Sequence, residues 1–276
     1  MAEFELNLSK REVNGMSVVA MANTVIPLLS NFKINEFRLF QFMLAHYDSR
    51  GGKDESLTFE ATVEDFKSIF TLIDHQNIWN IVADAVAEFG SRPLRWRHKN
   101  VSYLRNWFSG AEYYHGEGRF VFRLNKDVEA FFLTLKKCFT KWRLEETKNF
   151  RKEASFKLYA NLQQRAKMGT WKVDLSELKT LLGINGKYPR WGNFKERIIK
   201  PCLKEINEYT ELKVGWTKQK SGRRVSGVEF TIHIKPEARA KENRMLHEAV
   251  NAQLDDKNAK GPKYIEPLEG QQLLDI

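Results

Sequence analysis

Helices followed by aromatic-rich strands run twice along the chain, positive charge gathers in its middle, and a basic helical stretch lies near residue 200. Together these predict an α+β chain of two winged helix-turn-helix domains in tandem. At 276 residues with 42% apolar content, the chain is long enough to bury two ordinary cores. The expected division is 1–140 for the first unit, 141–236 for the second, and 237–276 for a tail that is partly helical and then disordered.

In the first unit, Asn35 is expected to cap a helix over Glu36–Tyr47, where Phe37, Phe40, Leu44 and Tyr47 repeat with helical spacing. Gly51-Gly52 lies in a loop, and Leu57–Phe59 is extended. Thr62 with Asp65 makes a capping-box start for Val63–Phe70, and a further helix over His75–Phe89 stops at Gly90 and Pro93. Strands follow at Leu94–His98, Val101–Phe108 and Arg119–Leu124, the first two joined by Lys99-Asn100. Lys126–Lys137 is expected to be helical and Lys141–Lys148 a connection.

The pattern then repeats. Phe150–Met168 reads as a long helix closed by Gly169, Trp171–Asp174 as a strand, and Leu175–Leu182 as a helix capped by Asp174 and stopped by Gly183. After a turn over Ile184–Pro189, Arg190–Tyr209 reads as a helix with Phe194, Ile198, Cys202 and Ile206 on its buried stripe. Pro201 inside it predicts a kink, because proline lacks the N–H and crowds the carbonyl of Arg197. Strands over Leu212–Lys218 and Arg224–Ile234 close the unit as a hairpin across Ser221-Gly222.

Charge supplies the functional reading. The net charge is +10, yet residues 1–140 carry 17 Lys/Arg against 17 Asp/Glu, 141–235 carry 22 against 10, and 236–276 carry 6 against 8. A concentrated cationic segment with interleaved Trp and Tyr suits a phosphate-rich partner, where Lys and Arg gain by releasing condensed counterions. Asn193, Arg197, Lys200 and Lys204 fall on one helical stripe opposite the apolar one. A lone stripe of this kind is ordinarily a solvated face. Here Lys187, Arg190 and Lys195 flank it and Lys218, Lys220, Arg223 and Arg224 follow on the hairpin, which makes it a candidate face for double-stranded DNA. Arg197 and Asn193 suit guanine and adenine edges, and the lysines and hairpin arginines suit phosphates.

Cys138 and Cys202 lack disulfide or zinc spacing and read as small core residues. The apolar run Met16–Leu29 is broken and too short to span a bilayer, and MAEFELNLSKR lacks a signal-peptide pattern, so a soluble cytoplasmic protein is expected. The six histidines include no His-x-His pair for a metal-dependent nicking enzyme, and Gly186-Lys187 lacks the remainder of a phosphate loop. No catalytic residue, metal site or cofactor is expected.

The blocks SFKLYANLQQ, VDLSELKTLLG, KYPRWGNFKERIIKPCLKEINEYTELKVGW and GRRVSGVEFTI resemble the C-terminal winged helix of the bacterial plasmid replication initiators that bind iterons. KINEFRLFQFMLAHYD resembles that family's first winged helix more loosely. The resemblance implies binding to direct repeats at a plasmid origin, with help in opening the duplex and recruitment of host replication proteins. It also implies a dimer that represses its own promoter and a monomer that initiates. Its reading helix corresponds to Asn193–Lys204, entered through Lys187, Tyr188 and Arg190, and its wing to Lys218–Arg224. In the first unit His75, Gln76, Asn77 and Asn80 occupy the matching helix, and Arg97 and Lys99 are further candidate contacts. That helix is polar without being basic. Balanced charge and an aromatic load (Trp79, Trp96, Trp107, Phe108, Tyr113, Tyr114) make the first unit a candidate dimerisation module. The alternatives carried are a transcriptional repressor alone and a metal-dependent nicking initiator.

Overall fold

The computed structural model describes residues 16–46, 58–70, 77–98, 100–114, 116–128 and 139–238, with the side chains of Ala22, Thr24, His46, Trp96, Arg97, His98 and Phe139 excepted. Expectations for His75, Gln76, Lys99, Cys138, most of the helix over Lys126–Lys137, and the tail beyond 238 fall outside these residues.

In the first unit, helix α1 (Ile34–His46) precedes strand β2 (Thr58–Thr62), helices α2 (Val63–Ile69) and α3 (Ile78–Ser91), a hairpin of β3 (Leu94–His98) and β4 (Val101–Arg105), and strands β5 (Phe108–Tyr114) and β6 (Arg119–Leu124). In the second, helix α5 (Glu153–Gln164) precedes β8 (Thr170–Asp174), α6 (Leu175–Leu181), the basic helix, and the hairpin β9 (Leu212–Ser221) and β10 (Arg224–Ile234). The sheets run β2-β6-β5 and β8-β10-β9. In both, the strand before the helix pair joins the last hairpin strand, so one antiparallel topology is used twice.

Local chemistry explains several boundaries. Thr62 Oγ1 accepts the Asp65 N–H at 3.1 Å while the Asp65 carboxylate accepts the Thr62 N–H at 2.8 Å, the expected capping box. At α1 the expected cap is corrected. Lys33 takes the cap position, its carbonyl accepting the Phe37 N–H at 3.0 Å and its own N–H donating to Glu36 Oε2 at 2.6 Å. Asn35 sits inside the helix and accepts from Arg38 at 2.9 Å. Asp174 precedes α6 in extended backbone but makes no side-chain cap bond.

The segment Lys141–Lys148, expected to be a connection, is instead strand β7 (Phe139–Arg143) followed by the helical turn α4 (Leu144–Thr147). Its partner is the N-terminal strand β1 (Val18–Ala22), paired antiparallel from Val18↔Arg143 to Ala22↔Phe139. A 3-10 helix over Asn23–Asn31 links β1 towards α1. Phe150 precedes the helix it was expected to begin; it is fully buried and packs edge-on against Phe156 at 5.1 Å and Tyr159 at 5.8 Å. The expected single strand Val101–Phe108 breaks before Trp107, which is buried against Phe89 in a stacked pair at 4.7 Å.

Helix α5 joins the two halves. Phe156 stacks on Phe37 of α1 at 5.2 Å, and the Tyr159 hydroxyl donates to buried Glu146 at 2.8 Å. The same carboxylate accepts the Glu211 N–H at 3.0 Å and the Arg143 N–H at 2.9 Å, tying β7 and α4 to the start of β9. Burial raises the Glu146 carboxyl above the usual range even with these donors.

Cys202 is completely buried, and burial pushes its thiol up to about 12. It is a core residue, as its stripe predicts. In a Cys138→Ser background, the native protein is expected to alkylate at least about a hundredfold more slowly than in denaturant, because only thiolate reacts and the site must open first. Equal rates in the two conditions would contradict this burial.

Candidate nucleic-acid interface

The basic helix is built from α7 (Trp191–Phe194), a π-helical turn (Lys195–Ile199) and α8 (Lys200–Tyr209). Phe194, Cys202 and Ile206 are fully buried and Ile198 nearly so, making the expected apolar stripe. A π turn immediately precedes Pro201, at the place where the kink is expected. The Lys200 N–H reaches back five residues to Lys195 O, which widens the turn just ahead of the proline.

With that stripe inward, Asn193, Arg197, Lys200 and Lys204 are exposed and Lys195 is half-buried. The stripe itself holds no carboxylate, but it has one as a neighbour. Glu196 sits 2.8 Å from Lys195 and 2.9 Å from Lys200, and these two, Lys195 foremost, hold its carboxyl below the usual range. Among the described residues, Arg197, Lys204, Lys187 and Arg190 make no ion pair.

The entry to this helix has a conformation that sequence periodicity does not reveal. Tyr188 adopts φ 54 in the left-handed region, disfavoured for a bulky residue. Its carbonyl accepts Lys179 Nζ at 2.9 Å, and the same ammonium lies 5.4 Å from the centre of the Phe194 ring. Lys179 therefore ties α6 to both the turn and the first buried anchor of the helix; nothing in its spacing marks it. Trp191, the first helical residue, is half-buried and meets Trp216 of β9 edge-on at 5.7 Å. That contact fixes the helix start against the hairpin.

The hairpin carries the remaining cations. Leu212 and Val214 point into the core and Trp216 is partly covered, whereas Lys218, Lys220, Arg223 and Arg224 are exposed beyond it without ion pairs among the described residues. Ser221 pairs with Arg224, so the two-residue turn is Gly222-Arg223, one position later than expected, and Arg223 stands at the tip. A register shift between Val225 and Gly227 bends the strand, and a Cβ at Gly227 would stand 2.7 Å from Val173 O.

The first unit contrasts with this. On its hairpin, Arg119 pairs with Glu117 at 2.9 Å and Glu60 at 3.8 Å, and Arg123 pairs with Glu112. At the start of α3, the N-cap Asn77 and Asn80 are exposed, but the Asn80 amide donates to Asn77 Oδ1 at 2.6 Å. Arg97 lies within β3. Among the described residues, the first unit's cations mostly have carboxylate partners, and most of the second's do not. Among the described residues no helix is long and apolar enough to cross a membrane, and no group of three or more His, Cys, Asp or Glu could hold a metal ion.

Comparison with known proteins agrees with this architecture. Residues 18–163 match the family described as initiator replication protein, WH1, and residues 174–232 that described as initiator Rep protein, WH2. A replication initiation protein of Escherichia coli is 24% identical over 169 residues, spanning 59% of this chain and 52% of that protein. An uncharacterized 27.6 kDa protein of Escherichia coli is 25% identical over 170 residues, spanning 60% of this chain and 71% of that one. The chain thus spans about half the length of the first of these relatives. Among solved structures, a Pi initiator protein in complex with iteron DNA superposes with a TM-score of 0.72 at 20% identity, covering 81% of this chain and 100% of that one. At that identity the superposition speaks to the fold: two winged helices in tandem.

Proposed function

The chain belongs to the initiator replication protein family, with its WH1 and WH2 domains, and from that premise we propose that it binds direct repeats at a plasmid origin and initiates replication there. The observation that carries the reading is the cationic surface running from Lys187 through the basic helix to the hairpin tip at Arg223, in which only Lys195 and Lys200 have a carboxylate partner among the described residues. Family membership and the iteron-bound Pi initiator, similar in fold, support DNA repeats as the ligand. Functionally the chain divides near residue 140, the second unit supplying most of the affinity and the first a weaker set of contacts through Asn77 and Asn80. The protein acts by binding in the bacterial cytoplasm, without catalysing a reaction. A dimeric form represses its own promoter, and host replication proteins join the monomer at the opened origin.

A helix in the major groove presents Arg to guanine and Asn to adenine, each good pair discriminating by about 1–3 kcal/mol. Arg197 and Asn193 take these roles, and Lys187, Arg190, Lys195, Lys200, Lys204, Lys218, Lys220, Arg223 and Arg224 hold phosphates. The test is competition binding of the full chain to origin DNA against random duplex. Arg197→Ala is expected to lower the preference for the cognate repeat by about tenfold, within the worth of one base pair contact, and Lys220→Ala to weaken both DNAs alike. Equal loss of preference from both changes would refute the assignment. Protection over several direct repeats in a footprint supports initiation; protection of a lone inverted repeat supports repression alone.

A further inference from the structure

The two winged helices meet at the end of the 3-10 helix Asn23–Asn31, and what meets there bears on how they share a site; the inference rests on the proposal that both engage one DNA. Two successive carbonyl groups end that helix, and each receives a cation from a different direction. Lys157 of α5 donates to Ser30 O at 2.7 Å, and Arg92, directly after α3, donates to Asn31 O. Carbonyl ends of helices carry partial negative charge, so both cations are favourably placed.

Neither cation is loosely held. Lys157 is 3% exposed, with Glu153 3.9 Å away as its ion-pair partner. Arg92 is braced 2.8 Å from buried Glu36. A buried ammonium costs too much to leave unpartnered, so the Ser30 carbonyl is bound firmly to α5.

The third contact is steric. Gly183 ends α6 with φ 68, and a Cβ added there would stand 2.0 Å from Ser30 O and 3.0 Å from Lys157 Nζ. Backbone from the turn that leads to the basic helix therefore lies directly on the end of the 3-10 helix. Arg92 follows α3, which occupies in the first unit the place of the basic helix in the second. One pair of carbonyls thus touches the end of one candidate reading helix and the turn leading into the other.

We propose that Ser30, Lys157 and Gly183 form a spacing joint that fixes the distance and twist between the two DNA-reading helices. They are positioning residues, and they make the separation between the two halves of the bound site a determinant of specificity.

The experiment uses the full chain and duplexes carrying the footprinted repeat, intact or with one base pair inserted between its protected halves. That insertion moves the second half by about 3.4 Å and about a tenth of a turn. Wild type is expected to bind the inserted duplex at least about tenfold more weakly, the worth of one lost base-reading pair. Lys157→Met keeps the aliphatic stem without the ammonium, and Gly183→Asn tolerates the left-handed backbone while adding the obstructing Cβ. Each variant is expected to retain the salt dependence and the preference for the repeat over random DNA, while the insertion penalty shrinks towards none. Either variant carries the test alone if the other does not fold. A wild type indifferent to the insertion, or folded variants that keep its full penalty, overturns the joint. Loss of sequence preference in wild type on the intact duplex overturns the DNA-reading proposal itself, a separately visible failure.

Discussion

Raising the salt from about 50 to about 200 mM is expected to weaken binding of the full chain to its cognate repeat on the order of a thousandfold, the loss set by about six phosphate contacts. Along the basic helix, its entry and the hairpin tip, eight cations are exposed and make no ion pair among the described residues: Lys187, Arg190, Arg197, Lys204, Lys218, Lys220, Arg223 and Arg224. A cation already matched to a carboxylate releases fewer counterions on reaching a phosphate, so Lys195 and Lys200, shared with Glu196, contribute less. Glu196→Gln frees both and is expected to steepen the salt slope, whereas Lys220→Ala is expected to reduce it by about one. Titrations at four or more salt concentrations read these slopes directly. A flat response in wild type is incompatible with a phosphate-binding surface on the second unit.

The largest expected change in stability comes from Phe194→Ala, at about 3–5 kcal/mol by the usual cost of emptying a buried phenylalanine site. Phe194 is fully buried, lies 6.0 Å from Trp191, and has the Lys179 ammonium over its ring. It is the first inward anchor of the basic helix, just before the π turn. Little can collapse into the space, because Trp191 is already held against Trp216 and Lys179 against Tyr188 O. Urea unfolding of the full chain should show a lower midpoint at an unchanged slope. A shift equivalent to less than about 1 kcal/mol would mean that the site repacks and that Phe194 does not pin the helix.

Much of the basic helix is legible in sequence because its physics is local. Phe194, Ile198, Cys202 and Ile206 recur at helical period, and once they are inside, geometry places Asn193, Arg197, Lys200 and Lys204 outside. The capping box at Thr62 and the left-handed stop at Gly183 are similarly short-range. The π turn ahead of Pro201 was not: proline forbids one hydrogen bond, but how the neighbouring turn responds depends on what packs around it. Nor was the Glu196 pairing, since which lysines a carboxylate reaches depends on rotamers that spacing alone leaves open.

Sequence alone determined that the chain repeats one α+β unit and that its second copy presents an amide and cationic ridge, since both follow from periodicity and from where charges sit along a helix. Tertiary structure decided the pairing of β1 with β7, the role of α5 between the halves, and the meeting of Ser30, Lys157 and Gly183. Those contacts join residues more than a hundred positions apart in most cases. No local pattern encodes them, because their stability comes from surfaces that exist only after each half has folded.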